Sequence, residues 1–388
     1  MSIRARRGRT VRWAVPAAAI AVIAGAIGAG PVIAAVQGDP ALPERTAEQL
    51  LASAAQAGRA GLKPMSGTVM QTASLGLPGL PEVPGMGGSS PVALLSGSHE
   101  LKVWYGGADK VRFALPGRMS ETDLITNGDQ VWLWQSDENR ATRVKAGSGE
   151  RGEEAARAHE ALPTATTPQQ LAQQLLRRVG ADTVVSVSNT EKVADRAAYQ
   201  LAFAPKDPSS LVKEVKLALD GETLVPLRVQ VYARSAAEPA FEVGFTSVTF
   251  SPPAAENFTF TPPTGAKVEE TSLAELLKER RPERGEGFED AEKLKSEVGT
   301  VGEGWTTVAV IPVSEQELTG QGQGEGSSGA GIGAIGDALL KSAKPISGTW
   351  GSGKVIQTKL VSALLTDDGR LLVGAVTPEK LSEAAGRK

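Results

Sequence analysis

The sequence predicts an α+β fold, a long antiparallel sheet with amphipathic helices on its apolar face, and three patterns in its 388 residues predict it. Apolar and polar residues alternate with period two through much of the chain. Two segments carry a 3.6-residue period with caps at both ends. Turn signals separate the alternating runs at hairpin distances. A small C-terminal α+β segment and an N-terminal membrane helix complete the expected fold class.

The first element is the membrane helix. Arg4, Arg6, Arg7, Arg9 and Arg12 precede an uncharged span from Trp13 to Val36, 24 residues in all, long enough to cross a bilayer. The arginines stay in the cytoplasm and the bulk is exported, giving a single-pass chain with its N-terminus inside. Secretion after cleavage near Val32-Ile33-Ala34 is the alternative. Thr46 to Gly58 then reads as a helix: Thr46 and Gln49 form a capping box, and Ala47, Leu50, Leu51 and Ala54 recur on one face. A second helix is expected over Pro168 to Val179, with Thr167 as N-cap and Leu171, Leu175, Leu176 and Val179 as its stripe.

Between and after these helices lie the strands: Leu101/Val103/Tyr105, Val111/Phe113/Leu115, Tyr199/Leu201/Phe203, Val215/Leu217/Leu219, Leu227/Val229/Val231 and Phe241/Val243/Phe245. Gly106-Gly107, Asn127-Gly128 and Asp220-Gly221 supply turns. The alternating partners are largely polar, so one sheet face is solvated and the other covered. Residues 269–304 are charged and read as a linker. The C-terminal segment, 305–388, is expected to contain strands at Thr306 to Val313, Lys354 to Leu365 and Arg370 to Val376, with a flexible glycine-rich stretch from Gly320 to Gly336.

Composition excludes several functions. Five of the 41 basic residues sit in the first twelve positions, so the remainder carries a net charge of −8 and is a poor partner for nucleic acid. Cysteine is absent, which removes disulfides, thiolate metal sites and cysteine nucleophiles. His99 and His159 are the only histidines, so no multi-histidine metal site and no cofactor is expected. Ser210-Leu-Val-Lys213 spells S-x-x-K, the nucleophile and base of an acyl-enzyme, but it enters a strand and its companion motifs are missing. Gly348 to Lys354 has the spacing of a phosphate loop, yet Val355 stands where a Ser or Thr is needed, and a glycine-rich turn around Trp350 is the better reading. The chain is expected not to be an enzyme.

The informative signal is apolar. Of 17 aromatic residues, five fall in 101–134 and five in 241–260. The segment Leu75-Gly-Leu77-Pro-Gly-Leu80-Pro-Glu-Val83-Pro-Gly-Met86 is a Pro/Gly loop carrying large apolar side chains, which calls for an apolar surface to cover. These residues, with the Thr46 helix, Gly67-Thr-Val69 and Asn127-Gly-Asp-Gln-Val-Trp132-Leu-Trp134, resemble the superfamily of the lipoprotein carrier LolA and the envelope-stress regulators MucB and RseB. Asn257-Phe-Thr-Phe260-Thr-Pro-Pro-Thr-Gly265-Ala-Lys-Val268 is similar to that family's closing motif. The resemblance covers 42–268 and implies a strongly curved antiparallel half β-barrel with helices on its concave face, binding lipid or lipoprotein acyl chains. It implies as an alternative a sensor that regulates a membrane partner protein. The expected apolar cavity and lid comprise Leu75, Leu77, Leu80, Leu101, Val103, Phe113, Leu115, Trp132, Trp134, Leu217, Phe241 and Phe245.

Overall fold

A computed structural model describes residues 42–76, 96–117, 119–145, 182–272, 299–313 and 341–387. The expected membrane span, the 168–179 helix, most of the Leu75 to Met86 loop, the linker and the glycine-rich stretch lie outside the described residues. Among the described residues no helix is long and apolar enough to cross a membrane.

Two sheets make up the fold, and strand dominates over helix. Helix α1 (Ala47–Ala60) opens it, with the capping box formed as expected: the Gln49 N–H donates to Thr46 Oγ1, and Gln49 Oε1 accepts from the Thr46 N–H. The large sheet contains β1 (Met65–Ser74), β2 (Ser96–Gly107), β3 (Lys110–Pro116), β4 (Glu121–Asn127), β5 (Gln130–Gln135) and β6 (Arg140–Lys145). Its second half contains β7 (Thr183–Val193), β8 (Arg196–Pro205), β9 (Val212–Asp220), β10 (Pro226–Ala233) and β11 (Pro239–Thr249), and β12 (Lys267–Ser272) ends it. The strand order is β12-β6-β5-β4-β3-β2-β1-β11-β10-β9-β8-β7, an open sheet whose edges do not pair with each other.

All pairings in this sheet are antiparallel except one. β12 runs parallel to β6, a departure from the all-antiparallel expectation. The reason lies in the crossover 250–266, which carries the chain from β11 in mid-sheet to the far edge and delivers β12 in the direction of β6.

The sheet is curled. Cα atoms of β7 and β11 approach within 8 Å although three strands lie between them, where a flat sheet would keep them about 19 Å apart. On the face opposite α1, Arg228 Nη2 of β10 donates to Glu191 Oε1 of β7 at 2.7 Å, and Val193 clusters with Ala218 and Leu227. This corner therefore folds away from α1.

The core sits between α1 and the second half of the sheet. Ala47 and Leu50 pack on Tyr199, Leu201, Phe203, Val215, Leu217 and Val231. The same cluster takes in Leu360, with Trp305 and Ala375 packed against it, all from the C-terminal segment.

That segment forms a six-stranded sheet of order β13-β14-β18-β17-β16-β15: β13 (Gly299–Val301), β14 (Val308–Pro312), β15 (Lys344–Gly348), β16 (Gly351–Gln357), β17 (Ser362–Thr366) and β18 (Arg370–Gly374). Helix α2 (Pro378–Ala385) packs Leu381, Ala384 and Ala385 on it. The run Lys354 to Leu365, expected as one strand, is two: the Thr358 hydroxyl accepts from the N–H of Val361 and donates to its carbonyl, breaking the run into β16 and β17. The two sheets are tied by backbone bonds. The Leu211 N–H donates to Ala375 O at 2.9 Å, Thr377 N–H to Ser209 O at 2.8 Å and Lys359 N–H to Leu75 O at 2.8 Å.

Candidate functional site

Strand register decides which side chains share a face. Val103 pairs with Phe113, Phe113 with Leu124, and Leu124 with Leu133, a row running straight across β2–β5. Leu101 and Leu115 alternate onto the same face, and Gly67 and Val69 continue it through β1. From β11 onward the row Val243–Val229–Leu217–Leu201–Val187 carries that face to the edge beneath α1. Leu217 is buried there, and Leu75 and Phe241 pack against the same cluster.

The two ends of this face differ in cover. Under α1 the apolar residues are buried. On β3 and β4 the paired Phe113 and Leu124 are each 41% exposed, an unusual state for two large apolar side chains in direct register. The charges avoid this side: Glu100, Lys102, Lys110, Arg112, Glu121 and Asp123, all six acidic and basic residues of β2–β5, alternate onto the opposite face. Within β2–β5 an apolar guest therefore meets no Asp, Glu, Lys or Arg on the Phe113–Leu124 side, which also carries His99.

Not every expected site residue joins this surface. Trp132 is paired with Ile125, and Trp134 with Asp123, so both tryptophans stand on the charged face. There Phe260 lies 5.5 Å from the ring centre of Trp132 and 5.9 Å from that of Trp134, with Phe258 buried beside it. The crossover 250–266 thus seals the tryptophans, and their assignment to one cavity with Phe113 is corrected. Phe245, beside a bulge and in register with Val69, lays its ring against Gly67 and packs with Leu227, Ala218 and Phe250 rather than with Leu217. Leu77 and Leu80 lie outside the described residues.

The charged face holds an ionic cluster around a buried Asp123 that sequence reading missed. Asp123, 2% exposed, accepts from Arg112 Nη2 at 2.6 Å. The same nitrogen stands 3.6 Å from Glu121, and the guanidinium lies 5.2 Å from the ring of Trp104. Burial, the largest influence, pushes the Asp123 carboxyl up to about 6; Arg112 opposes this and Glu121 adds to it. The signal available in sequence was the i, i+2 spacing of Glu121 and Asp123 against Arg112 across a hairpin.

The two motifs weighed for catalysis have structural settings of their own. Ser210 is fully buried at a bridge to Val376, and its hydroxyl accepts from the Val212 N–H at 3.3 Å. Lys213 is exposed, so serine and lysine do not form the pair an S-x-x-K site requires. Gly348 to Gly351 is the tight turn between β15 and β16, and Trp350 Nε1 donates to Ser382 Oγ at 2.7 Å. Among the described residues no group of three potential metal ligands occurs.

Residues 90–269 match the family described as "Predicted periplasmic protein (DUF2092)". That description agrees with an exported chain. Among solved structures, the chain is similar to the MucA/MucB complex of Pseudomonas aeruginosa at 14% identity, over 87% of this chain and 96% of that one, with a TM-score of 0.39. It is similar to a LolA superfamily protein of Nitrosomonas europaea at 11% identity, over 56% and 99%, with a TM-score of 0.22. No curated protein matches the chain.

Proposed function

We propose that this chain is an extracytoplasmic, membrane-attached, non-enzymatic binder of lipid or lipoprotein acyl chains, held on the α1 face of the large sheet. The observation that carries the reading is the separation of charge in β2–β5, with Phe113 and Leu124 half open on a face to which these strands bring His99 but no Asp, Glu, Lys or Arg. An acyl chain has no hydrogen-bonding groups to satisfy, and its burial contributes about 0.8 kcal/mol per methylene. Its polar headgroup stays in water. The uncharged span from Trp13 to Val36 supports attachment to the membrane, with secretion after cleavage as the alternative.

Mass spectrometry of an organic extract of the purified exported domain tests the ligand class, with co-purifying acyl lipid as the expected result. Phe113→Asp and Leu124→Asp should each weaken binding of a fluorescent fatty acid at least tenfold, about 1.4 kcal/mol, with the circular dichroism spectrum unchanged. Undiminished affinity in folded variants overturns the proposal. A second reading, a module that docks a regulatory membrane protein, is favoured by the edge position of β7, unpaired among the described residues, where Val184 is 55% exposed. Under that reading a partner protein binds while the two aspartate variants leave its affinity unchanged.

A further inference from the structure

We propose that Arg112, Asp123 and Glu121 form a proton-uptake latch that tightens the pairing of β3 and β4 as the medium turns mildly acidic. Two carboxylates converge on one guanidinium nitrogen, Asp123 Oδ2 at 2.6 Å and Glu121 Oε1 at 3.6 Å, so the deprotonated cluster carries one uncompensated negative charge. Part of the cluster is buried without pairing: Asp123 Oδ1 and Arg112 Nε have no hydrogen-bond partner among the described residues. A like charge nearby and a low-dielectric setting both favour a bound proton.

Among the described residues the surroundings do not supply a second cation to cancel the charge. Across β3 from Asp123, β2 offers Lys102, in register with Ala114, and its side chain is exposed to water. On β5 the residue opposite Asp123 is Trp134, and on β6 the residue opposite Trp134 is Ala141. Arg143 of β6 stands over Trp132 and lies 3.7 Å from Glu270 of β12. The short turn Ala255–Phe258, which packs on β3 and β4, contributes Glu256, an exposed acid, and the buried Phe258. Burial and Glu121 therefore outweigh Arg112, and the Asp123 carboxyl rises to about 6.

The step is a protonation from solvent. One proton adds to the Asp123 carboxylate, its O–H is shared with the Glu121 carboxylate, the Arg112 contact persists, and the net charge of the cluster goes from −1 to zero. No covalent bond to carbon changes.

The sign follows from linkage. The folded chain binds this proton more tightly than the unfolded chain, whose Asp123 titrates near 3.8, so the contribution to stability grows as pH falls through 6 and is complete below 3.8. The test uses the full chain. In urea unfolding at pH 7, 6, 5 and 4.5, the unfolding constant of wild type relative to Asp123→Asn should fall about twofold from pH 7 to 6 and about fivefold from pH 6 to 5, since one proton is involved. Glu121→Gln should reduce that dependence. Carbon-13 NMR of aspartate carboxyls in wild type reads the same site without a substitution, and so decides the matter if Asp123→Asn does not fold. A midpoint near 6 that moves down in Glu121→Gln supports the latch; an Asp123 midpoint at or below 4, or equal pH dependence in wild type and Asp123→Asn, overturns it.

Discussion

Asp220 shows the opposite titration logic to Asp123. It is fully buried at the β9–β10 turn, where Arg196 Nη2 donates at 3.2 Å and the backbone and hydroxyl of Thr223 each donate at 2.8 Å. Burial pushes its carboxyl up, but these bonds outweigh burial and hold Asp220 below the usual carboxylate range. Its stabilising contribution is thus present above the unfolded value of 3.8 and is lost as pH falls through the lower folded value. Asp220→Asn should lower stability at pH 7 and leave a shallower acid limb below pH 4 in a urea-unfolding series. Legibility in sequence also divides at this scale. The face of Phe113 was legible because Arg112 and Ala114 alternate against it. In Val131-Trp132-Leu133-Trp134 both phases of the strand are apolar, so period two does not say which side chains face which way, and only pairing with Leu124 and Asp123 resolves it.

Elements were legible where a local rule governs them. Thr46 and Gln49 determine the start of α1 by their own side chains, and Asn127-Gly128 closes the β4–β5 hairpin with Gly128 at φ +64°. The parallel β12 was not legible, because its direction depends on a crossover that spans the sheet rather than on neighbours in sequence. The division of Lys354 to Leu365 was hidden for a related reason: Leu360 and Val361 read as strand residues, and the turn is made by the backbone and side chain of Thr358, both bonded to Val361. Two substitutions separate capping from packing in α1. Thr46→Ala removes the cap and should cost about 1 kcal/mol, whereas Leu50→Ala opens the core under the helix and should cost roughly 2–5 kcal/mol, both measured by urea unfolding. A near-neutral Leu50→Ala would mean that α1 does not secure the sheet.

At the scale of the whole molecule, the C-terminal sheet is a structural partner of the large one. Leu360 is buried in the main core, Trp305 Nε1 donates to Thr183 Oγ1 at 2.7 Å, and Lys359 holds both Leu75 O and Ser74 Oγ at the end of β1. The seam also buries Ser210 through the Ser210–Val376 bridge, so the hydroxyl that suggested chemistry in the sequence serves the junction between sheets. Cooperative unfolding follows from such a shared core, since neither sheet keeps its buried surface when the other leaves. Calorimetry of the exported chain should therefore show a single transition. Leu360→Ala should lower its midpoint without splitting it, and cutting the chain before residue 299 should expose Leu201 and Phe203 side chains that bind a hydrophobic dye. Two separated transitions in the intact chain, or a truncated large sheet with unchanged melting temperature and no dye binding, would show that the seam is only a contact between independent units.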